Sequence, residues 1–172
     1  MHRFAEHVYS VTISLWVGAL WAIGYLAAPV LFAMLDDRAM AGRVAGVMFS
    51  YVGWLGMAVS AYLLVFLALR KNGAAFRCSV FWLVLLMLSL TMAGQFGIQP
   101  ILAQLKADSL PREVMESAMR DRFMVWHGVS SIVYLIESLL GLLLVALLGR
   151  GWRGAHSALS GPIAGGRAGK DR

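Results

Sequence analysis

Charge is scarce in this chain. Asp, Glu, Lys and Arg together make up 14% of its 172 residues, against about 25% in soluble domains. The charges fall in clusters, separated by long uncharged runs. Cysteine is scarcer still. Cys78 stands alone, which excludes an internal disulfide and any CxxC metal site. Equally missing are a serine nucleophile elbow, a zinc-protease helix motif and a phosphate loop. No reaction motif is left to argue from, and the chain reads as non-enzymatic.

What is abundant is apolar surface. Hydrophobic residues make up 60% of the chain, and the mean hydropathy is +0.73. A small globule has too little interior to hide that much, so the solvent for most of it is a bilayer. Four runs, 11–35, 44–69, 79–102 and 124–148, each exceed the roughly 20 residues needed to cross the hydrocarbon core. The first is far longer than the core of a signal peptide, so a retained anchor is expected. The predicted fold is all-α: a polytopic membrane protein built as an antiparallel four-helix transmembrane bundle.

The formal charge of +6 tempts a nucleic-acid reading, but its distribution argues otherwise. With four spans both termini share one side. That side carries Arg3, Arg70, Lys71, Arg77, Arg150, Arg153, Arg167, Lys170 and Arg172. The other carries Arg38, Arg43, Lys106, Arg112, Arg120 and Arg122, matched by six acids. The positive-inside rule therefore predicts cytoplasmic termini in a cell inner membrane. Anionic lipids account for the surplus positive charge at the tail without nucleic acid. Residues 149–172, rich in Gly and Arg, are expected to be disordered. Asp108 or Ser109, Pro111 and Glu113 predict a short external helix over about 110–122.

Helix contacts in lipid favour small residues, which suggests an inward seam on each span. The expected seams are Ser14, Gly18, Ala22, Tyr25 and Pro29; then Gly46, Ser50, Gly53, Met57 and Ser60, preceded by Gly42; then Ala93 and Gly97 with Gln95 and Gln99; and finally His127, Ser131, Tyr134, Ser138 and Gly141, flanked by Ser130 and Glu137. Pro29 and Pro100 each remove a backbone hydrogen bond, to the carbonyls of Tyr25 and Phe96. An echo, aromatic-x-x-x-Pro-[Val/Ile]-Leu, recurs at Tyr25–Leu31 and Phe96–Leu102. It reads either as a duplicated hairpin or as coincidence.

Glu137 is the one acid inside a span, and no Lys or Arg lies within a span to offset it. A charge at bilayer centre costs about 2.5–3.5 kcal/mol on insertion scales. The carboxyl is therefore expected to be neutral and hydrogen-bonded, or reached by water, with Tyr25, Ser60 and Thr91 at comparable depth as partners. It is either a proton or cation site or a polar clasp between helices. His127, Gln95, Gln99, Ser130 and Ser131 form an expected outer polar vestibule, or else an ordinary interfacial His beside Trp126. Met115, Met119 and Met124 ahead of His127 suit copper(I) in principle; an amphipathic contact surface is the plainer reading, and no metal is assigned. His7 and His127 lie on opposite sides, so one chain cannot close a bis-His haem site. No cofactor is implied.

The segment FMVWHGVSSIVYL (123–135) resembles the Phe-x-x-x-His-Gly-x-Ser-Ser stretch of the transmembrane protein 205-like family, a domain of unknown function. WVGALWAIGYLAAPVLFAML (16–35), VMFSYVG (47–53) and SLTMAGQFGIQP (89–100) look like its first, second and third spans. The resemblance covers residues 8–148 and highlights Phe123, His127, Gly128, Ser130, Ser131 and Pro100. Tyr134 stands where the family pattern has Asn, and Glu137 is no landmark of it. What it implies is a small four-span membrane protein with no established enzymatic activity. Two functions follow as expectations. One is a protein acting through helix contacts with itself or a membrane complex. The other is a small carrier or channel element for protons, cations or a small solute, using Glu137 and the outer vestibule.

Overall fold

The computed structural model describes residues 2–71, 74–108 and 117–159. Among these, four helices are long and apolar enough to cross a membrane: His7–Met34, Arg38–Arg70, Ser79–Leu105 and Asp121–Gly149. They form the expected all-helical four-span bundle. Span one comprises α1 (His2–Trp21), a π-helical turn (Ala22–Ala27) and α2 (Ala28–Met34). Span two is α3 (Arg38–Lys71). Span three is α4 (Ser79–Met92), a second π turn (Ala93–Ile98) and α5 (Gln99–Asp108). Span four lies within α6 (Ser117–Leu159).

Local chemistry sets the connections. Leu35 adopts an extended conformation and closes α2. Asp37 then caps α3, its Oδ1 accepting from the Ala39 and Met40 N–H groups at 2.8 and 3.1 Å. The next connection carries a 3₁₀ turn at Ala74–Arg77. It is pinned by the Trp82 indole, which donates to the Phe76 carbonyl at 2.9 Å. These short links make successive helices antiparallel neighbours. Span one packs on two, two on three, three on four, and four back on one, closing a ring.

One expectation differs from the structure, and another lies partly outside the described residues. Helix α6 continues to Leu159, into the segment expected to be disordered from 149; a helix already nucleated by a span can propagate through residues with no apolar face of their own. Of the short external helix expected over 110–122, residues 109–116 lie outside the described residues. From Ser117 the stretch is the start of α6, continuous with span four.

The seams also differ from expectation. Ser14, Gly18 and Ala22 of span one lie on the bundle surface, as do Ala93 and Gly97 of span three. The core is built from large side chains instead: Ile13, Trp16, Val17 and Leu20 from span one, and Val84 and Met87 from span three. Span two turns Ser60 fully inward and half-buries Gly46, Ser50, Gly53 and Met57. In span four the buried side is Glu137, Ser138, Gly141 and Leu144, while His127 and Ser131 are exposed. The inward face is rotated from the expected line towards Glu137, which leaves the outer two members outside the contact.

Both prolines sit just beyond a π turn. The Ala28 N–H bonds to the Ile23 carbonyl and the Gln99 N–H to the Gly94 carbonyl, the i to i−5 pattern of a widened turn. A wider turn relieves the clash between a proline ring and the preceding turn without breaking the rod. The two turns hold the same register against the echoed motif. Ile13, Trp16 and Leu20 precede the first turn as Val84, Met87 and Thr91 precede the second, and all six are buried. Spans one and three thus share a bulge, a proline and a burial pattern, as a duplicated hairpin would.

Along the spans, the exposed side chains among the described residues are largely apolar. Leu15, Leu26 and Ile132 are each 60% or more exposed, and such residues ring every span. A contiguous apolar surface of this extent is suited to lipid.

Candidate functional site

The polar chemistry of the bundle converges on its interior. Glu137 is 6% exposed and Thr91 5%, and the Thr91 hydroxyl is hydrogen-bonded to Glu137 Oε1. Of the three partners expected from depth, Thr91 is the one engaged. Tyr25 is exposed, its ring tilted against those of Trp21 and Tyr134. Ser60 is fully buried, and its Oγ has no hydrogen-bond partner among the described residues.

Proton counting shows which state lets both Thr91 contacts be hydrogen bonds at once. Thr91 Oγ1 also lies 2.8 Å from the Met87 carbonyl, which can only accept. A hydroxyl has one proton to give. If Thr91 spends it on Met87, the Thr91–Glu137 bond must use a proton from the carboxyl. A neutral Glu137 therefore serves all three oxygens, whereas a carboxylate would compete with the Met87 carbonyl for the single hydrogen. Bonds of this kind between membrane helices are worth about 0.6 kcal/mol on average, and up to about 1.7. The pair ties span three to span four.

A second polar crossing joins spans four and one at the first π turn. Tyr134 donates its hydroxyl to the Leu20 carbonyl at 2.6 Å. The ring rests directly on Gly24: a side-chain Cβ there would meet Tyr134 Cε1 at 2.3 Å. Trp21 adds a long bond to the Ser138 carbonyl at 3.4 Å. The second π turn repeats the arrangement with the sizes exchanged. There the bulge supplies the large side chain, Gln95, whose Nε2 donates to Ser50 Oγ at 2.9 Å. Span two supplies the glycine, Gly53, with Gln95 Oε1 2.5 Å from where its Cβ would stand.

The outer vestibule does not assemble as expected. Among the described residues no hydrogen bond joins His127 to Gln95 or Gln99. Gln95 is committed to Ser50. His127 is exposed and lies parallel to Phe123, with ring centroids 5.8 Å apart. The Ser131 hydroxyl returns to the His127 carbonyl at 2.9 Å, and Ser130 and Gln99 are half-buried. Of the methionines ahead of His127, Met124 is exposed; Met115 and the Met119 side chain lie outside the described residues.

The sequence reading missed Trp16, Gly24 and Gly56. A Cβ at Gly56 would stand 2.9 Å from Trp16 Nε1 and 3.4 Å from Thr91 Cγ2, so these two side chains meet over it. No periodicity singles these residues out; the proline five residues after Gly24 is the one available signal.

A family model matches the chain. The model of a domain of unknown function, DUF4149, matches residues 11–111. That region holds spans one to three, both π turns and Thr91; Glu137, Tyr134 and the His127–Ser131 segment lie beyond it. The match does not carry the transmembrane protein 205-like name. No curated protein and no solved structure matches the chain. The matched region is more than half of the sequence, and this chain of four candidate membrane spans belongs to the DUF4149 family, a domain of unknown function.

Proposed function

We propose that this is a non-enzymatic inner-membrane protein, with both termini cytoplasmic, that acts through helix contacts with itself or with a membrane complex. The transmembrane protein 205-like resemblance is part of this reading. The carrying observation is where the small residues lie. Ser14, Gly18 and Ala22 run along one exposed face of span one. Small residues let helix backbones approach closely in lipid, and here the bundle does not use them internally. Beside them an open apolar groove is lined by Ser14, Val17, Gly18, Trp21, Leu142 and Val145. The polar interior supports the same reading, since Glu137 is engaged as a clasp between spans three and four.

Gly18→Leu tests the proposal. Nothing lies within 4 Å of a Cβ at Gly18, so the bundle itself accommodates a side chain there. The expected result is an unchanged melting temperature with loss of the higher-mass species on native gels of mild-detergent extracts. An unchanged assembly pattern contradicts the proposal. The carrier alternative is tested separately with Glu137→Gln in proteoliposomes. Loss of proton or cation flux with assembly intact would favour it.

A further inference from the structure

Two buried polar groups remain without a partner among the described residues: Trp16 Nε1, on a side chain 1% exposed, and Ser60 Oγ, on one 0% exposed. An unsatisfied buried donor forfeits its hydration with nothing in return, and native proteins rarely tolerate it. Both belong to one neighbourhood. Trp16 Nε1 and Thr91 Cγ2 meet over Gly56, and Ser60 lies one helical turn along the same face of α3. Thr91 in turn holds Glu137. Each span therefore sends one polar side chain into a shared layer: Trp16, Ser60, Thr91 and Glu137. The bare backbone at Gly56 keeps carbon away from the indole N–H.

We propose that Trp16 and Ser60 bind a single internal water molecule in this layer. The donor set selects it. The indole can only donate, so the guest must accept; a serine hydroxyl can do either. A metal cation would face an N–H hydrogen and is excluded. An anion would lie within the apolar core cluster that joins Trp16 to Leu20, Val59, Leu63 and Met87, with no Lys or Arg in residues 11–35, 44–69, 79–102 or 124–148. An apolar guest would leave both groups as they were. Water accepts from the indole and bonds to the hydroxyl, and buried waters typically serve two to four such groups. The site gives the Glu137 layer a hydrated element. It is independent of the assembly proposed above, because Gly18 lies on the outside of the bundle.

The test uses the full chain in nanodiscs with ¹⁵N-labelled indoles. The Trp16 Hε1 resonance is identified as the one lost in Trp16→Phe. The expected result is a cross-peak between Trp16 Hε1 and water, together with a displaced Hε1 shift and a lowered melting temperature in Ser60→Ala. Absence of the water cross-peak overturns the proposal, as does a Ser60→Ala variant that melts higher with Hε1 unmoved, the behaviour of a dry unpaired hydroxyl. Should Ser60→Ala fail to fold, the wild-type cross-peak decides alone.

Discussion

Glu137→Lys is expected to abolish the folded bundle, while Glu137→Gln leaves it near wild type. The position is 6% exposed, and its bonded partner is a threonine hydroxyl. Lysine there would be a cation with no acid to pair with it in the apolar runs 11–35, 44–69, 79–102 and 124–148, since Glu137 is itself the one acid they contain. The insertion cost of such a charge is about 2.5–3.5 kcal/mol, roughly a 60- to 300-fold fall in the folded fraction if it is not relieved. Glutamine, by contrast, copies the neutral carboxyl in shape and keeps a donor for Thr91 Oγ1 while that hydroxyl serves Met87. Size-exclusion profiles of detergent extracts report both outcomes. Equal damage from Gln and Lys would show that the site requires a carboxylate rather than a neutral acid.

The second large effect is expected from Gly24→Ala. The added methyl would stand 2.3 Å from Tyr134 Cε1, and the ring is not free to retreat. Its hydroxyl is held by the Leu20 carbonyl at 2.6 Å, and its ring forms a T-shaped pair with Phe49, centroids 5.0 Å apart. Overpacking costs about 1–3 kcal/mol, and the lost hydrogen bond adds roughly 1 kcal/mol. A combined loss of about 2–4 kcal/mol follows from these two terms. Unfolding in mixed micelles measures it. Tyr134→Ala in the same chain should absorb most of the Gly24→Ala effect, a non-additivity that marks direct contact. Gly94→Ala is the control: nothing lies within 4 Å of its Cβ, so it is expected to be neutral. A Gly24→Ala effect no larger than that of Gly94→Ala would remove the wedge from the account.

Much of this architecture was legible in the residues. Apolar run length found all four spans, because the bilayer imposes a minimum length that water-soluble helices do not obey. Helix rotation was harder. In lipid both the buried and the exposed side of a helix are apolar, so hydropathy carries little phase. Span one shows the consequence. Its small residues point outward and Trp16 points inward, the reverse of the small-residue rule. Span four was read better because Glu137 is a phase marker: its cost at the lipid face demands an inward direction. Even so, His127 and Ser131 were carried inward with it, because a straight 3.6-residue stripe ignores how far the inward contact extends along the helix. The prolines announced a disturbance at both sites but not its form. A π turn and a kink begin from the same missing N–H. Depth alone left Tyr25, Ser60 and Thr91 level as partners for Glu137; choosing Thr91 required the rotation of span three relative to span four.

The central claim is that Glu137 turns inward as a neutral acid bonded to Thr91. Infrared spectroscopy of the protein in lipid tests it directly, because the carbonyl stretch of a protonated carboxylic acid is distinct from the carboxylate bands and responds to hydrogen bonding. The account predicts a protonated-acid band at neutral pH that disappears in Glu137→Gln and shifts in Thr91→Val. A spectrum with no such band, or one whose band is unmoved by Thr91→Val, would contradict it.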